Sequence, residues 1–216
     1  MDTNELIEKL TRDLRPTKRL PSALFCFFVW AAVSALYILT IMQTSGGVRH
    51  AAPLAGGNIS FLAENLLYAV AATAGVMAAL RLRIPAEKID ARTRALLFTA
   101  TGIWLLIILD TAVRAEDLPA HAHMYNDPRV RRCLPILMAA AAAPVALMFA
   151  LLRQGGTTWR LWAGYAATLG AASLAALGVR YACATDNAAH LLVWHVLPVA
   201  ACTVAGIAMG RAILRW

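Results

Sequence analysis

The side chains with redox or metal chemistry in this chain are its four cysteines and five histidines. A thiolate is both a nucleophile and a soft metal ligand, so position decides which use is open to it. Cys133 follows Arg131 and Arg132 and opens an apolar run. Basic neighbours and a helix N-terminus both favour its thiolate form. Cys183 lies between Arg180 and Asp186, whose charges act in opposite senses. His121, His123 and Met124 form a short His-x-His-Met cluster. Such a set can bind a soft or borderline metal, but a short cluster of this kind reads first as a solvated polar loop. His190 and His195 flank the start of the last apolar run. A haem would need facing ligands at matching depth; none stands out, and no cofactor is expected. Glu64 and Asp110 lie near the ends of apolar runs, where water reaches them, and read as structural or solvated groups.

The elements that must position these residues are membrane helices. The chain of 216 residues is 60% hydrophobic and 15% charged, against roughly 45–50% apolar residues in soluble domains. The excess is gathered into six runs: Pro21 to Met42, Ile59 to Leu80, Ala95 to Val113, Cys133 to Leu152, Leu161 to Ala182 and His190 to Gly210. Each is about 20 residues, enough to cross a hydrocarbon layer of ~30 Å at ~1.5 Å per residue. The runs lack the alternation of a barrel, and an open sheet cannot leave its edges in lipid. The fold class is therefore all-α, a six-transmembrane-helix bundle over residues 21–216. Gly164, Gly170 and Gly178, with several alanine runs, allow close helix approach. Residues 1–20 are charged and lack the apolar core of a cleavable signal peptide.

Charge sets the orientation. Residues 1–20, the second and fourth connections and the tail carry fourteen of the twenty Lys and Arg residues. The positive-inside rule places that side in the cytoplasm, with both termini, in a bacterial inner membrane. The net charge of +8 then reports topology rather than nucleic-acid binding. This arrangement sorts the cysteines. Cys26 falls at the inner end and Cys202 within the last helix, where small thiols fill packing. Cys133 and Cys183 fall at the outer ends of two helices joined by a short link. Only this pair shares a depth, a side and an oxidising compartment. On the inner side, Leu6, Ile7, Leu10 and Leu14 make one apolar stripe on a short helix. That stripe either lies on lipid or docks into a partner's groove.

Four stretches carry a likeness. NELIEKLTRDLRPTKRLP, RRCLPILMAAAAAPVALMFALLRQG, RYACATDNAAHLLVWH and the closing GRAILRW resemble the NrsF family of membrane anti-sigma factors. The resemblance implies an inner-membrane protein that holds an extracytoplasmic-function sigma factor inactive through its N-terminal helix, residues 1–20. It implies periplasmic cysteines, here Cys133 and Cys183, that sense oxidants or heavy metals. Metal capture would fall on the same two cysteines, with His121 and His123 as a weaker candidate. It implies neither catalysis nor direct nucleic-acid contact. The rival reading is a membrane thiol–disulfide oxidoreductase, which would also use paired outer cysteines. It is disfavoured because the chain has no Cys-x-x-Cys motif and no second pair to relay through, Cys26 lying across the membrane.

Overall fold

A computed structural model describes residues 2–12, 20–45, 59–86, 88–115, 132–183 and 185–215. The described residues are helical and contain no strand. A short helix α1 (Thr3–Arg12) precedes the bundle. Five long helices follow: α2 (Ala23–Thr44), α3 (Ile59–Leu82), α4 (Ala91–Arg114), α5 (Cys133–Arg153) and α6 (Arg160–Ala182). The last helix, α7 (Ala188–Ile213), contains a π-helical turn at Leu192–Val196. Helices α2 to α7 are each long and apolar enough to cross a membrane, as the six runs required.

Capping explains where the helices begin. Ser22 accepts a hydrogen bond from the Phe25 amide (3.2 Å) at the start of α2. Asp90 does the same for the Thr93 amide (3.4 Å) at α4. This cap starts α4 before the expected Ala95, so Arg92 and Arg94 belong to its first turns rather than to a loop. Asn187 caps α7 through the His190 amide (3.1 Å). Each side-chain oxygen satisfies a donor that the helix itself cannot.

Helix α6 is the central strut, buried along most of its length among α3, α5 and α7. Small residues make this possible. A Cβ on Gly164 would lie 2.2 Å from the Gly206 carbonyl oxygen and 2.7 Å from Gly210 Cα, both on α7. A Cβ on Gly75 of α3 would lie 2.9 Å from Gly170 Cα. On a third side, Gly178 faces Ile38 of α2. In lipid, where apolar burial drives little association, such backbone approach supplies the dispersion contact that holds helices together. Polar side chains add specific ties. Trp104 Nε1 of α4 donates to Ser173 Oγ of α6 (2.6 Å). Trp30 Nε1 of α2 donates to the carbonyl of Pro144 (3.0 Å), the proline inside α5.

Candidate functional site

Cys133 is the first residue of α5 and Cys183 immediately follows α6. The short α5–α6 connection makes these helices antiparallel neighbours, so the two residues meet at one end of the bundle. Their sulfurs are 3.7 Å apart, both thiols are free, and both are buried. Helix α7 adds two groups to this pair. His190 Nε2 is 3.2 Å from Cys183 Sγ. His195 packs edge to face on His190 with ring centroids 5.3 Å apart. One donor atom from each of Cys133, Cys183, His190 and His195 can be chosen so that all four lie within 4.8 Å of one another.

The π turn explains how two histidines five residues apart share a face. In a regular α-helix each residue turns ~100°, so residues five apart point about 140° away from one another. In a π turn the hydrogen bond spans five residues and each residue turns less, so His195, inside the turn, points less far from His190 than in a regular helix. The Leu197 amide donates to the Leu192 carbonyl in this way. Sequence reading placed both histidines at this end but did not join them to the cysteines. Their spacing of five carries no α-helical signal, and nothing in the chain announces a π turn.

The electrostatics divide the two thiols. Cys133 donates its S–H toward Cys183 Sγ. That hydrogen bond, aided by the one from His190, holds the Cys183 thiol well below the usual range against the opposing effect of burial. The sequence places two arginines just before Cys133; the fold brings the imidazole of His190 to Cys183.

Beside this cluster lies a buried ion-pair network. Arg180 bonds Glu64 of α3 (3.2 Å) and Asp186 of the α6–α7 link (2.6 Å). Its guanidinium also covers the Phe61 ring (4.8 Å). Tyr68 Oη donates to the other oxygen of Glu64 (3.1 Å). Glu64 is therefore buried and paired, not open to water as its place near a helix end had suggested. Asp110 is exposed, with Arg114 one turn away as its partner. Asp186 is engaged by Arg180, which removes it as a free charge beside Cys183.

The other candidate residues are dispersed. Cys202 is 3.6 Å from the Met138 sulfur in the α5–α7 interface. Cys26 lies at the far end of α2, beside Arg83 (3.3 Å). His121 and His123 lie outside the described residues. Leu6 and Ile7 are exposed on α1. Leu10 belongs to the same helix, and Leu14 lies outside the described residues.

Fold and site together define a six-helix membrane protein with a thiol–imidazole cluster at one end of its bundle and a separate amphipathic helix before it. The family model for NrsF, "Negative regulator of sigma F", matches residues 10–216. The chain belongs to this family of anti-sigma factors, which is regulatory and whose partner is a sigma factor. It is 27% identical over 189 residues to the "Probable anti-sigma-F factor NrsF" of Azospira oryzae, covering 87% of this chain and 85% of that protein. No solved structure matches the chain.

Proposed function

We propose that this chain is an inner-membrane anti-sigma factor, with both termini in the cytoplasm, that holds an extracytoplasmic-function sigma factor through α1. In this reading it releases the sigma factor when Cys133 and Cys183 meet an oxidant or a heavy metal. The observation that carries the proposal is the exposure of α1's apolar stripe: Leu6 is 38% and Ile7 54% accessible. An uncovered apolar helix face serves a lipid surface or a protein groove, and the sigma-factor partner of the family favours the groove. Helix-in-groove docking is the mode that a stripe at this spacing serves.

The cysteine cluster supports the sensing half. It joins the ends of α5 and α6 to the start of α7, so a bond made there acts on three helices at once. A disulfide closing the 50-residue separation constrains a chain by at most ~4 kcal/mol. Inverting a two-state equilibrium from 1:99 to 99:1 needs about 5.5 kcal/mol. A disulfide alone therefore gives a partial shift.

Co-purification tests the central assignment. Full-length protein in detergent should retain the sigma factor, and a version lacking residues 1–20 should lose it while still inserting into the membrane. Retention by the truncated protein would overturn the reading. Orientation is tested separately: a reporter after Trp216 should report cytoplasm, and one at Ala120 periplasm, following the division of basic residues.

A further inference from the structure

We infer that Cys133, Cys183, His190 and His195 form a four-coordinate site for a thiophilic divalent cation of the zinc–cadmium class. The inference deepens the sensing role proposed above. Only its regulatory meaning rests on that reading; the site itself stands on geometry.

Three observations carry it. The first is spacing. A tetrahedral ion with metal–sulfur bonds of ~2.3 Å places two thiolates roughly 3.8 Å apart, and the two sulfurs are 3.7 Å apart. All four donor atoms lie within 4.8 Å of one another, so shifts of about 1 Å bring them to the ~3.3–3.8 Å edges of a tetrahedral set.

The second is polar satisfaction. His195 is fully buried, yet neither of its ring nitrogens has a hydrogen-bond partner. His190 Nδ1 is also without one. A buried polar group left unpaired is costly, and a neutral imidazole nitrogen is a common metal ligand. Coordination would give His195 a direct partner where its ring faces Cys183 without a hydrogen bond of normal geometry.

The third is charge. Two thiolates, two neutral imidazoles and one divalent cation sum to zero. A neutral cluster fits a buried position at the end of a membrane bundle, where an unpaired charge does not. The neighbouring cation, Arg180, is already bound by Glu64 and Asp186. With two sulfur and two nitrogen ligands, the set is closed, as in sites that hold a metal rather than use it on a substrate. Binding displaces any remaining thiol protons to solvent.

Purified full-length protein, reduced and in detergent, would be titrated with Co²⁺ and Cd²⁺. Co²⁺ should give the visible bands of a tetrahedral site, and both ions the ultraviolet charge-transfer band of metal–thiolate bonds, saturating at one ion per chain. His195→Gln and His190→Gln should each weaken Cd²⁺ binding at least about 10–100-fold, the loss that removal of even an outer-shell partner of a metal ligand causes. Cys202→Ser should bind as the parent does. Far-ultraviolet circular dichroism on each variant separates lost ligands from lost fold, and Zn²⁺ should raise the melting temperature of the parent but not of the doubly substituted His190→Gln, His195→Gln protein. No ion uptake by the parent would overturn the site. Undiminished affinity in the double histidine variant would equally overturn it, leaving the cysteines alone. Sigma-factor capture, scored without metal, reports on the anti-sigma reading independently of either result.

Discussion

The guanidinium of Arg83 donates to Cys26 Sγ at 3.3 Å and to the Pro21 carbonyl at 2.7 Å. Arg83 is almost wholly buried and closes α3. It thereby fixes the first turn of α2 to the opposite end of the bundle from the cysteine–histidine cluster. Pro21, just before α2, is tied to the end of α3 by this contact.

That contact predicts a change in thiol accessibility. Cys26 is buried against Arg83, so it should react slowly with a thiol reagent in the native protein. Arg83→Ala removes both hydrogen bonds and opens space beside the sulfur, so labelling of Cys26 should accelerate at least tenfold. The measurement is a mass-spectrometric time course, with Cys202 as internal reference. Equal labelling rates in parent and variant would show that Arg83 does not hold this corner.

Ile7→Asp on α1 should weaken sigma-factor binding roughly 30–100-fold, and Leu10→Asp should do the same. An uncompensated carboxylate on the docking face costs about 2–3 kcal/mol in desolvation, and each ~1.4 kcal/mol is tenfold in affinity. Membrane insertion and helix content should not change, because α1 precedes the spanning helices. Affinity measured by surface capture of the detergent-solubilised protein checks this. A normal constant for both variants would place the contact elsewhere, with the 81–94 connection the next segment to test.

Cys133 and Cys183 should behave as one unit. Cys133→Ser or Cys183→Ser should each blunt signal-dependent release, and replacing both should be no worse than replacing one, since coupled residues are not additive. Cys202→Ser should leave release unchanged. Zinc binds thiolate sites of zinc-finger peptides with about 10–16 kcal/mol at neutral pH; only the part of a metal's binding energy that differs between the two states drives a switch, and a difference of about 5.5 kcal/mol makes it complete. Release would be followed through a sigma-dependent promoter. Additive loss across the two cysteines would mean that they act separately.

Two glycine substitutions should part company. Gly164→Val drives a side chain into the Gly206 carbonyl and Gly210 of α7, and overpacking of this kind costs about 1–3 kcal/mol. For a chain of this size that lowers the melting temperature by roughly 2–12 °C. Gly102→Ala on α4 meets nothing within 4 Å and exchanges a poor helix former for a good one. Its melting temperature should stay level or rise. Thermal unfolding in one detergent compares the two directly.

Hydropathy was enough for the coarse design of this protein. Six runs of membrane length leave helices as the only spanning solution, because lipid supplies no partner for an open backbone. The α5–α6 link is short enough to bring Cys133 and Cys183 to one end, so their pairing was legible from topology. The glycines of α6 announced close packing, though not which neighbour each would meet. Tertiary structure decided the rest. The turn at Leu192–Val196 has no signal in the residue pattern, and it swings His195 toward His190 and the two cysteines. Glu64 looked water-exposed because depth along a helix is readable from sequence, whereas the face it presents is not. Its partner, Arg180, is 116 residues away, a separation at which only the packed fold brings two charges together.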